Sequence, residues 1–348
     1  MRRKKNVTFD DIAKHTGFSK TTISRYFNNP DSLTLENQDT IAKALRELNY
    51  KENKVARILA NGKTEFVGII IPNLSNHYYS EMLNQLLLTY EEFGYKFLVF
   101  VGNEDEEAER RYIQELLAYN IEGLIVLSQT LSSKELASLH LPIVSIEREN
   151  QYICSVNTDN YMGGVQATSL LIRKKCDVLI HVNSPTASDF PAYGRIRGFL
   201  DICKEADINH KIIYKNFGNT YQSIKKDLTE VMEEIEGMEG KQKGIFISND
   251  THANIFLNLC IQKYGAFPEH YFLIGFDGSP ISSEAVIPIS TVGQQIQKIA
   301  WEAMRLLVSQ MNEQKKRRPV PLAKPIHKVI TPILIHRNTT EKGSPQRV

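Results

Sequence analysis

Along the first fifty residues, apolar positions recur three and four apart. From Phe66 onward they gather instead into short β-branched runs separated by amphipathic stretches. The first pattern predicts helices and the second an alternation of strands and helices. In Val7–Asn28, VTFDDIAKHTGFSKTTISRYFN, Thr8 is placed to cap a helix, with Asp11 at capping-box spacing. Gly17 breaks that helix and Ser19 caps the next. There Ile23 and Phe27 lie four apart and share a core-facing side, so Thr21, Arg25 and Asn28 project outward. After the turn-rich NPDSL, Thr34 caps a third helix carrying Ile41, Leu45 and Leu48 at i, i+4 and i+7.

In the second region FVGIIIP (66–72), YKFLVFVG (95–102), GLIVLS (123–128), PIVSIER (142–148), VLIHVN (178–183), 211–217, GIFISND (244–250) and FLIGFD (272–277) predict strands. Helical patterns fall at 77–93, 106–118, 133–139, 161–173, 192–206, 221–236, 251–264 and 294–312, and an extended stretch runs on to Arg337. Such alternation folds into parallel sheets with helices on both faces, and the count suits two doubly wound lobes. Sites in these folds lie at the carboxyl ends of the strands. The polar residues there are Asn73, Ser75 and Tyr79, Ser128, Glu147 and Arg148, Asn249 and Asp250, and Asp277. Each alone reads more readily as a helix cap or turn residue than as a ligand contact. Their convergence on one cleft is what raises them to candidates.

A chain of 348 residues allows two or three folding units. Its net charge of +2 hides an asymmetry. Residues 1–62 hold 12 basic and 7 acidic residues, a net +5, and the rest holds 30 and 33, a net −3. A basic head on a mildly acidic body fits a polyanionic partner for the head alone. Cys154, Cys176, Cys203 and Cys260 are scattered without metal-ligand spacing and read as buried thiols of a reducing compartment. The arm MRRKKN is followed by polar residues rather than an apolar run, and no stretch approaches ~20 apolar residues. A cytoplasmic protein with no membrane partner is expected. No phosphate loop, zinc-protease helix, nucleophile elbow or dinucleotide fingerprint occurs, so an enzyme is not expected, nor a cofactor or metal. Asp10-Asp11 are charges at a helix N-terminus.

The string Val7, Thr8, Asp11, Ile12, Ala13, Gly17, Ser19, Thr22, Ile23, Ser24, Arg25, Phe27, Asn28 resembles the DNA-binding headpiece of the lactose-repressor (LacI/GalR) family. Thr16 and Phe18 depart from its alanine and valine, and Glu47–Tyr50 (ELNY) is typical of it. The resemblance implies a helix-turn-helix for the major groove, with Lys20, Thr21 and Arg25 at base edges. Thr8, Ser19, Thr22, Ser24 and Asn28 would hold phosphates or set the register. Asn53–Ala60, NKVARILA, is too short to be a stable helix alone. It resembles the family's hinge, which implies folding on DNA, with Asn53 and Ala56 at the minor groove and Leu59 as the wedge in a base step.

The resemblance extends through the body, nearly the whole of 7–340. It implies two lobes of periplasmic-binding-protein type with a small effector between them. The R-x-x-G-[FW] motif appears as Arg195, Gly198 and Phe199, the N-D as Asn249-Asp250 and the G-[FY]-D as Gly275-Phe276-Asp277. Arg195, Asn249 and Asp277 thereby inherit contact roles. Glu147 stands where aspartate is usual, Tyr79 and Phe217 fall where aromatics stack, and Gln294 matches a glutamine near the lobe crossover. Ala300 replaces a usual glycine, and ILIHRNTT echoes the family's ending. Carboxylates, arginine, amide and aromatics suit a sugar, while Arg195 suits a sugar acid or sugar phosphate equally well. The expected organisation is a headpiece at 1–52, a hinge at 53–63, a body at 64–340 and a tail at 341–348. Within the body an N-lobe spans about 64–160 and 293–325, and a C-lobe about 161–292 and 326–340. The expected function is a repressor whose operator affinity an effector controls. With no leucine heptad after Arg337, a homodimer is expected rather than a coiled-coil tetramer. The alternative is a sugar-binding receptor of transport type, which the basic head opposes.

Overall fold

Capping and a few aromatic contacts build the first unit. The computed structural model of the chain describes residues 7–51, 63–102, 105–148, 150–218, 220–320 and 322–341, and the chain divides between Lys63 and Thr64 into two units. Helices α1 (Phe9–Thr16), α2 (Lys20–Asn28) and α3 (Leu35–Glu47) form a helix-turn-helix and its supporting helix. Thr8 and Asp11 make a reciprocal capping box on α1, and Gly17 ends that helix at φ 75°, a conformation glycine adopts without strain. Asn49 (φ 48°) does the same after α3, and the Tyr50 N–H returns to the Leu45 carbonyl at 2.9 Å. That reversal lays the Tyr50 ring 5.8 Å from Phe27, which stacks on Phe9 at 5.2 Å. Ile12, Ile23, Ile41 and Ala44 fill the small core beneath. The basic arm and the expected hinge, with Asn53, Ala56 and Leu59, lie outside the described residues.

The second unit contains two six-stranded sheets. In the first, β1 (Phe66–Ile71), β2 (Lys96–Val101), β3 (Gly123–Val126), β4 (Ile143–Ile146), β5 (Cys154–Thr158) and β11 (His327–Ile330) run parallel in the order β11-β5-β4-β3-β1-β2. In the second, β6 (Val178–Asn183), β7 (Asn209–Tyr214), β8 (Lys243–Ile247), β9 (Tyr271–Asp277), β10 (Ser290–Gly293) and β12 (Ile333–Ile335) lie in the order β12-β10-β9-β8-β6-β7, with only β12 antiparallel. Strand alternation divides each sheet between two helical layers. Val67, Ile69 and Ile71 pack under α4 (His77–Leu88) and the late α13 (Ile296–Gln314), while Ile70, Leu124 and Val126 pack under α6 (Glu106–Ala118). In the second lobe Ile180 and Ile245 pack against α10 (Tyr221–Glu236) and α11 (Asp250–Tyr264). Leu179, Phe246 and Phe276 pack against α8 (Asn160–Arg173) and α9 (Tyr193–Glu205). Short helices α5 (Tyr90–Phe93), α7 (Ser133–Ala137) and α12 (Pro280–Glu284) complete the layers.

The structure departs from the sequence reading at several places. The single helix expected at 77–93 is two, separated at Thr89, whose hydroxyl bonds the Leu86 carbonyl at 2.5 Å. Strand β5 was not expected, because CSVNT is short and holds three polar residues to two apolar ones. It is buried on both faces, and its polar groups are met internally, Ser155 by Asn150 and His327, and Asn157 by the Glu147 N–H. β10 and α12 were also not expected, the strand expected at 211–217 lies at 209–214, and the final extended stretch splits into two strands. Because β11 pairs with β5, the last lobe crossing falls after Ile330, not at 325/326. Among the described residues, no helix is long and apolar enough to cross a membrane.

His181, at the centre of β6, is fully buried and stacked 4.3 Å from Phe246. Its Nδ1 donates to the Phe246 carbonyl at 3.0 Å, which fixes the neutral tautomer. Burial pushes its pKa down to about 3. Between 6.5 and that value the unfolded chain binds a proton that the folded lobe refuses, so this contribution to stability is lost as pH falls. Asp250 and Asp277, whose pKa values burial raises, run the opposite way. Comparing His181→Leu with the parent isolates the histidine. From pH 7 to pH 5 the stability difference should move by about 2 kcal/mol in favour of the variant, read from urea midpoints. A difference independent of pH would refute the assignment.

Candidate functional site

The chain crosses between the lobes three times: from β5 to α8, from β10 to α13 and from β11 to β12. Beside these crossings the strand ends of both lobes bring charged groups together. Arg195 stands in the first turn of α9, 9% exposed. Its Nε donates to Asn160 Oδ1 at 2.7 Å and its Nη1 to the Ser248 carbonyl at 2.6 Å. Its guanidinium lies 3.7 Å above the Phe276 ring. This position depends on glycine. A Cβ on Gly198 would meet the Tyr161 carbonyl at 2.3 Å, and one on Gly164 the Arg195 carbonyl at 2.4 Å, so α8 and α9 touch backbone to backbone.

Two carboxylates face that cation, and both sit on left-handed backbone, Glu147 at φ 54° and Asp277 at φ 108°. Non-glycine residues hold such angles only where the surroundings impose them, often at ligand sites. Glu147 accepts from the Thr158 N–H and from Asn160 Nδ2 at 2.8 Å. Asp277 accepts from Gln294 Nε2 at 2.6 Å, and Gln294 Oε1 accepts from Thr158 Oγ1 at 2.7 Å. Gln294 thus links the two lobes at the crossover. Burial raises both carboxyls above their ordinary range, and Arg195 partly opposes this. Tyr78 lies in the same field, 5% exposed. Its hydroxyl is buried without a hydrogen-bond partner among the described residues. Burial raises the phenol well above its ordinary value, with Glu147 and Asp277 adding to the rise. Elsewhere across the cleft, the His77 N–H and ring Nδ1 lie 3.1 and 3.0 Å from Thr251 Oγ1.

The structure gathers Glu147, Arg195, Asp277 and Gln294 into one cluster and leaves other expected residues in local roles. Asn249 caps α11, its Oδ1 accepting from the His252 N–H at 2.8 Å. Phe217 packs 4.4 Å from the His252 ring, and Tyr79 packs edge-on against Tyr78 at 5.3 Å. Asn73 accepts from Ser75 and the Asn76 N–H, closing the loop before α4. Ser128 is a correction: it is fully buried, and its hydroxyl donates to Glu109 on α6 at 2.7 Å instead of facing the cleft. Asp250 is internal too, holding the Ser279 N–H and Thr291 Oγ1. Tyr78, Thr158 and Asn160 were missed by the sequence reading. The last two adjoin the unexpected β5, while Tyr78 was hidden by its neighbour Tyr79. A cavity of about 480 Å³ is lined by Gln129, Arg148, Asn150 and Tyr152 of the first lobe and Asp189 and Phe190 of the second, and by no residue of the cluster.

In the first unit Ile23 is fully buried, while Thr21, Arg25 and Asn28 are exposed together on α2. Thr8 and Ser19 serve as caps, and Ser19 also bonds the Thr22 hydroxyl at 2.9 Å. Asn28 Nδ2 donates to Ser24 Oγ at 3.1 Å. Lys20 pairs with Asp10 at 2.8 Å, an exposed ion pair of little strength.

Residues 8–53 match the family described as bacterial regulatory proteins, lacI family. Residues 64–234 match the periplasmic binding proteins and sugar binding domain of LacI family, and 168–339 a periplasmic binding protein-like domain. A ribose operon repressor of Halalkalibacterium halodurans is 28% identical over 339 residues, covering 97% of this chain and 98% of that protein. The lac repressor dimer bound to operator and the anti-inducer ONPF superposes with a TM-score of 0.78 at 20% identity, covering 97% and 99% of the two chains. That likeness speaks for the fold. A periplasmic binding protein/LacI transcriptional regulator from Alkaliphilus metalliredigens, complexed with D-xylulofuranose, superposes at 0.69 with 25% identity, covering 80% and 100%.

The glycine contact between α8 and α9 is directly testable. Gly198→Ala should separate the helices and lower stability by about 1–3 kcal/mol in urea denaturation. Gly237→Ala is the control: its Cβ would meet nothing nearer than 3.7 Å, and it should be neutral or slightly stabilising. Equal effects from both would refute the packing argument.

Proposed function

This chain belongs to the lacI family of bacterial regulatory proteins, and from that premise we propose that it is a cytoplasmic, homodimeric transcriptional repressor whose hold on operator DNA is governed by a sugar bound between its lobes. The organisation follows: a headpiece at 1–52, a hinge at 53–63 and a sugar-responsive body at 64–340. The observation that carries this reading is the combination in one chain of two surfaces. One is the exposed side of α2, with Thr21, Arg25 and Asn28. The other is the buried Glu147–Arg195–Asp277 cluster between lobes joined by three crossings. The names of the ribose operon repressor and of the D-xylulofuranose-bound regulator support it.

In this reading α2 enters the major groove, Arg25 forks onto a guanine, and Lys20 and Thr21 reach neighbouring bases once Lys20 exchanges Asp10 for DNA. Thr8, Ser19, Thr22, Ser24 and Asn28 hold phosphates and fix the register. Asn53, Ala56 and Leu59 act in the minor groove. In the body Glu147 and Asp277 accept sugar hydroxyls and Arg195 and Asn249 donate. Tyr79 and Phe217 cover apolar ring faces, and Asn73 and Gln294 border the site. A sugar touching both lobes biases their relative arrangement by its differential affinity for the two states, and operator affinity shifts by the same free energy.

Selection from a random DNA pool by the purified chain at fixed salt should enrich a near-palindrome with a deformable central step. Arg25→Ala should relax the preference at one position of each half-site, a loss of about 1–3 kcal/mol. Asp277→Ala should retain operator binding and lose the response to sugar. If the pool yields no enriched sequence, with or without added metabolite extract, the proposal fails. If Asp277→Ala abolishes operator binding with the fold intact, the site assignment fails.

A further inference from the structure

We infer that the cleft selects an uncharged polyol, a sugar carrying neither phosphate nor carboxylate, and that an oxygen of this ligand accepts a hydrogen bond from the Tyr78 hydroxyl. The inference rests on the sugar-responsive reading above and narrows its ligand class.

The charge balance of the cluster carries the first half. Glu147 and Asp277 face a single cation, Arg195, whose Nε and Nη1 already serve Asn160 and the Ser248 carbonyl and whose plane is stacked on Phe276. An anionic ligand entering here would displace those bonds and bring further negative charge into a water-poor site where burial already raises both carboxyls, so the site disfavours it. Hydroxyl groups do the opposite. A vicinal diol donates to a carboxylate at both oxygens and accepts from a guanidinium, so a polyol complements the cluster without changing its charge. Arg148, next to Glu147 in the chain, is directed elsewhere. Arg148 is 1% exposed, and its guanidinium donates to the Ser128 carbonyl at 2.7 Å and to the Leu131 carbonyl, the backbone leading into α7. Lys134 is exposed and, like Asp189 of the other lobe, lines the cavity of about 480 Å³ and not the cluster.

Tyr78 supplies the second, independent observation. Its ring belongs to the first-lobe core, but its hydroxyl, buried and without a partner among the described residues, lies in the field of Glu147, Asp277 and Arg195. A buried hydroxyl without a partner is unfavourable unless something that binds there satisfies it. With the phenol held protonated, it offers a donor among groups that otherwise mostly accept.

The test uses the full-length chain and matched probes, D-ribose with ribose 5-phosphate, D-glucose with glucose 6-phosphate and D-fructose with fructose 1-phosphate, by calorimetric titration and thermal shift. At least one neutral sugar should bind, and its phosphate ester should bind on the order of 100-fold more weakly. Tyr78→Phe should weaken that neutral sugar roughly 5- to 10-fold, without lowering the melting temperature of the sugar-free protein, because the group removed has no protein partner. Glu147→Gln should narrow the gap between sugar and phosphate ester. A phosphate ester binding as tightly as its parent sugar, unchanged affinity in Tyr78→Phe, or no neutral sugar binding at all would overturn the inference. A chain that binds its operator yet responds only to a phosphorylated sugar overturns the inference and leaves the repressor reading standing. A chain that binds no DNA overturns that reading, while the titrations still decide the inference.

Discussion

A buried guanidinium is costly unless its surroundings compensate it on every side, and the geometry of the second unit follows from how Arg195 is compensated. The residue occupies the first turn of α9, where the helix dipole opposes a positive charge. It is stable there because four strand ends supply what the helix cannot. Asn160 follows β5, Ser248 follows β8, Phe276 and Asp277 end β9, and Glu147 follows β4. Asn160 and the Ser248 carbonyl must arrive within hydrogen-bonding distance and the Phe276 ring within stacking distance, and the backbone contact of α8 with α9 at Gly164 and Gly198 fixes the point they must reach. The three-residue spacing from Arg195 to Gly198 thereby has a physical meaning. The arginine and the contact that aims it lie on the same turn of one helix.

The same cluster explains how two lobes can exchange information through so few bonds. Gln294 connects Thr158 of the first lobe with Asp277 of the second, and Thr251 meets His77 and Asn76 across the cleft. Each such bond is worth about 1 kcal/mol net. A handful of them holds an arrangement firmly enough to be a defined state and loosely enough for a ligand to displace. A shift from one arrangement to the other needs only a few kcal/mol of differential binding.

Much of this was legible in the sequence, and the exceptions share a cause. The helix-turn-helix could be read because capping residues, a glycine and buried Ile23 each carry a local signal, and the structure uses all three locally. The strands of the sheet centres could be read because both of their faces are apolar. β5 could not, because its buried polar groups are answered by Asn150, His327 and the Glu147 N–H, residues distant in sequence or in a turn. With β5 missed, Thr158 and Asn160 were missed with it, and with its partner β11 unplaced the lobe boundary fell too early. Ser128 was misjudged for a similar reason. Its position after β3 is that of a cleft residue, but Glu109, a buried carboxylate on α6, claims its hydroxyl from behind the sheet. Spacing reports the direction of a strand end and says nothing of which side chain competes for the group placed there.

The division of charge along the chain completes the physical picture. The first 62 residues carry +5 and the remainder −3, so the two units meet opposite electrostatic demands. Attraction of a basic head to phosphates is long-ranged, indifferent to sequence and weakened by salt, and it brings the protein to DNA without telling it where to stop. Specificity needs short-range contacts from a rigid element, and α2, which exposes Arg25, is held by Ile23 and the Phe9–Phe27 stack. The body works without long-range attraction. Its cleft groups Glu147 and Asp277 with Arg195, buried and hydrogen-bonded to neighbours, where interactions act over a few ångströms and depend little on ionic strength. A ligand signal of that kind can act on the head only by changing which arrangement of the lobes is populated. The bonds that Arg195 and Gln294 make between strand ends are where such a change of arrangement would be registered.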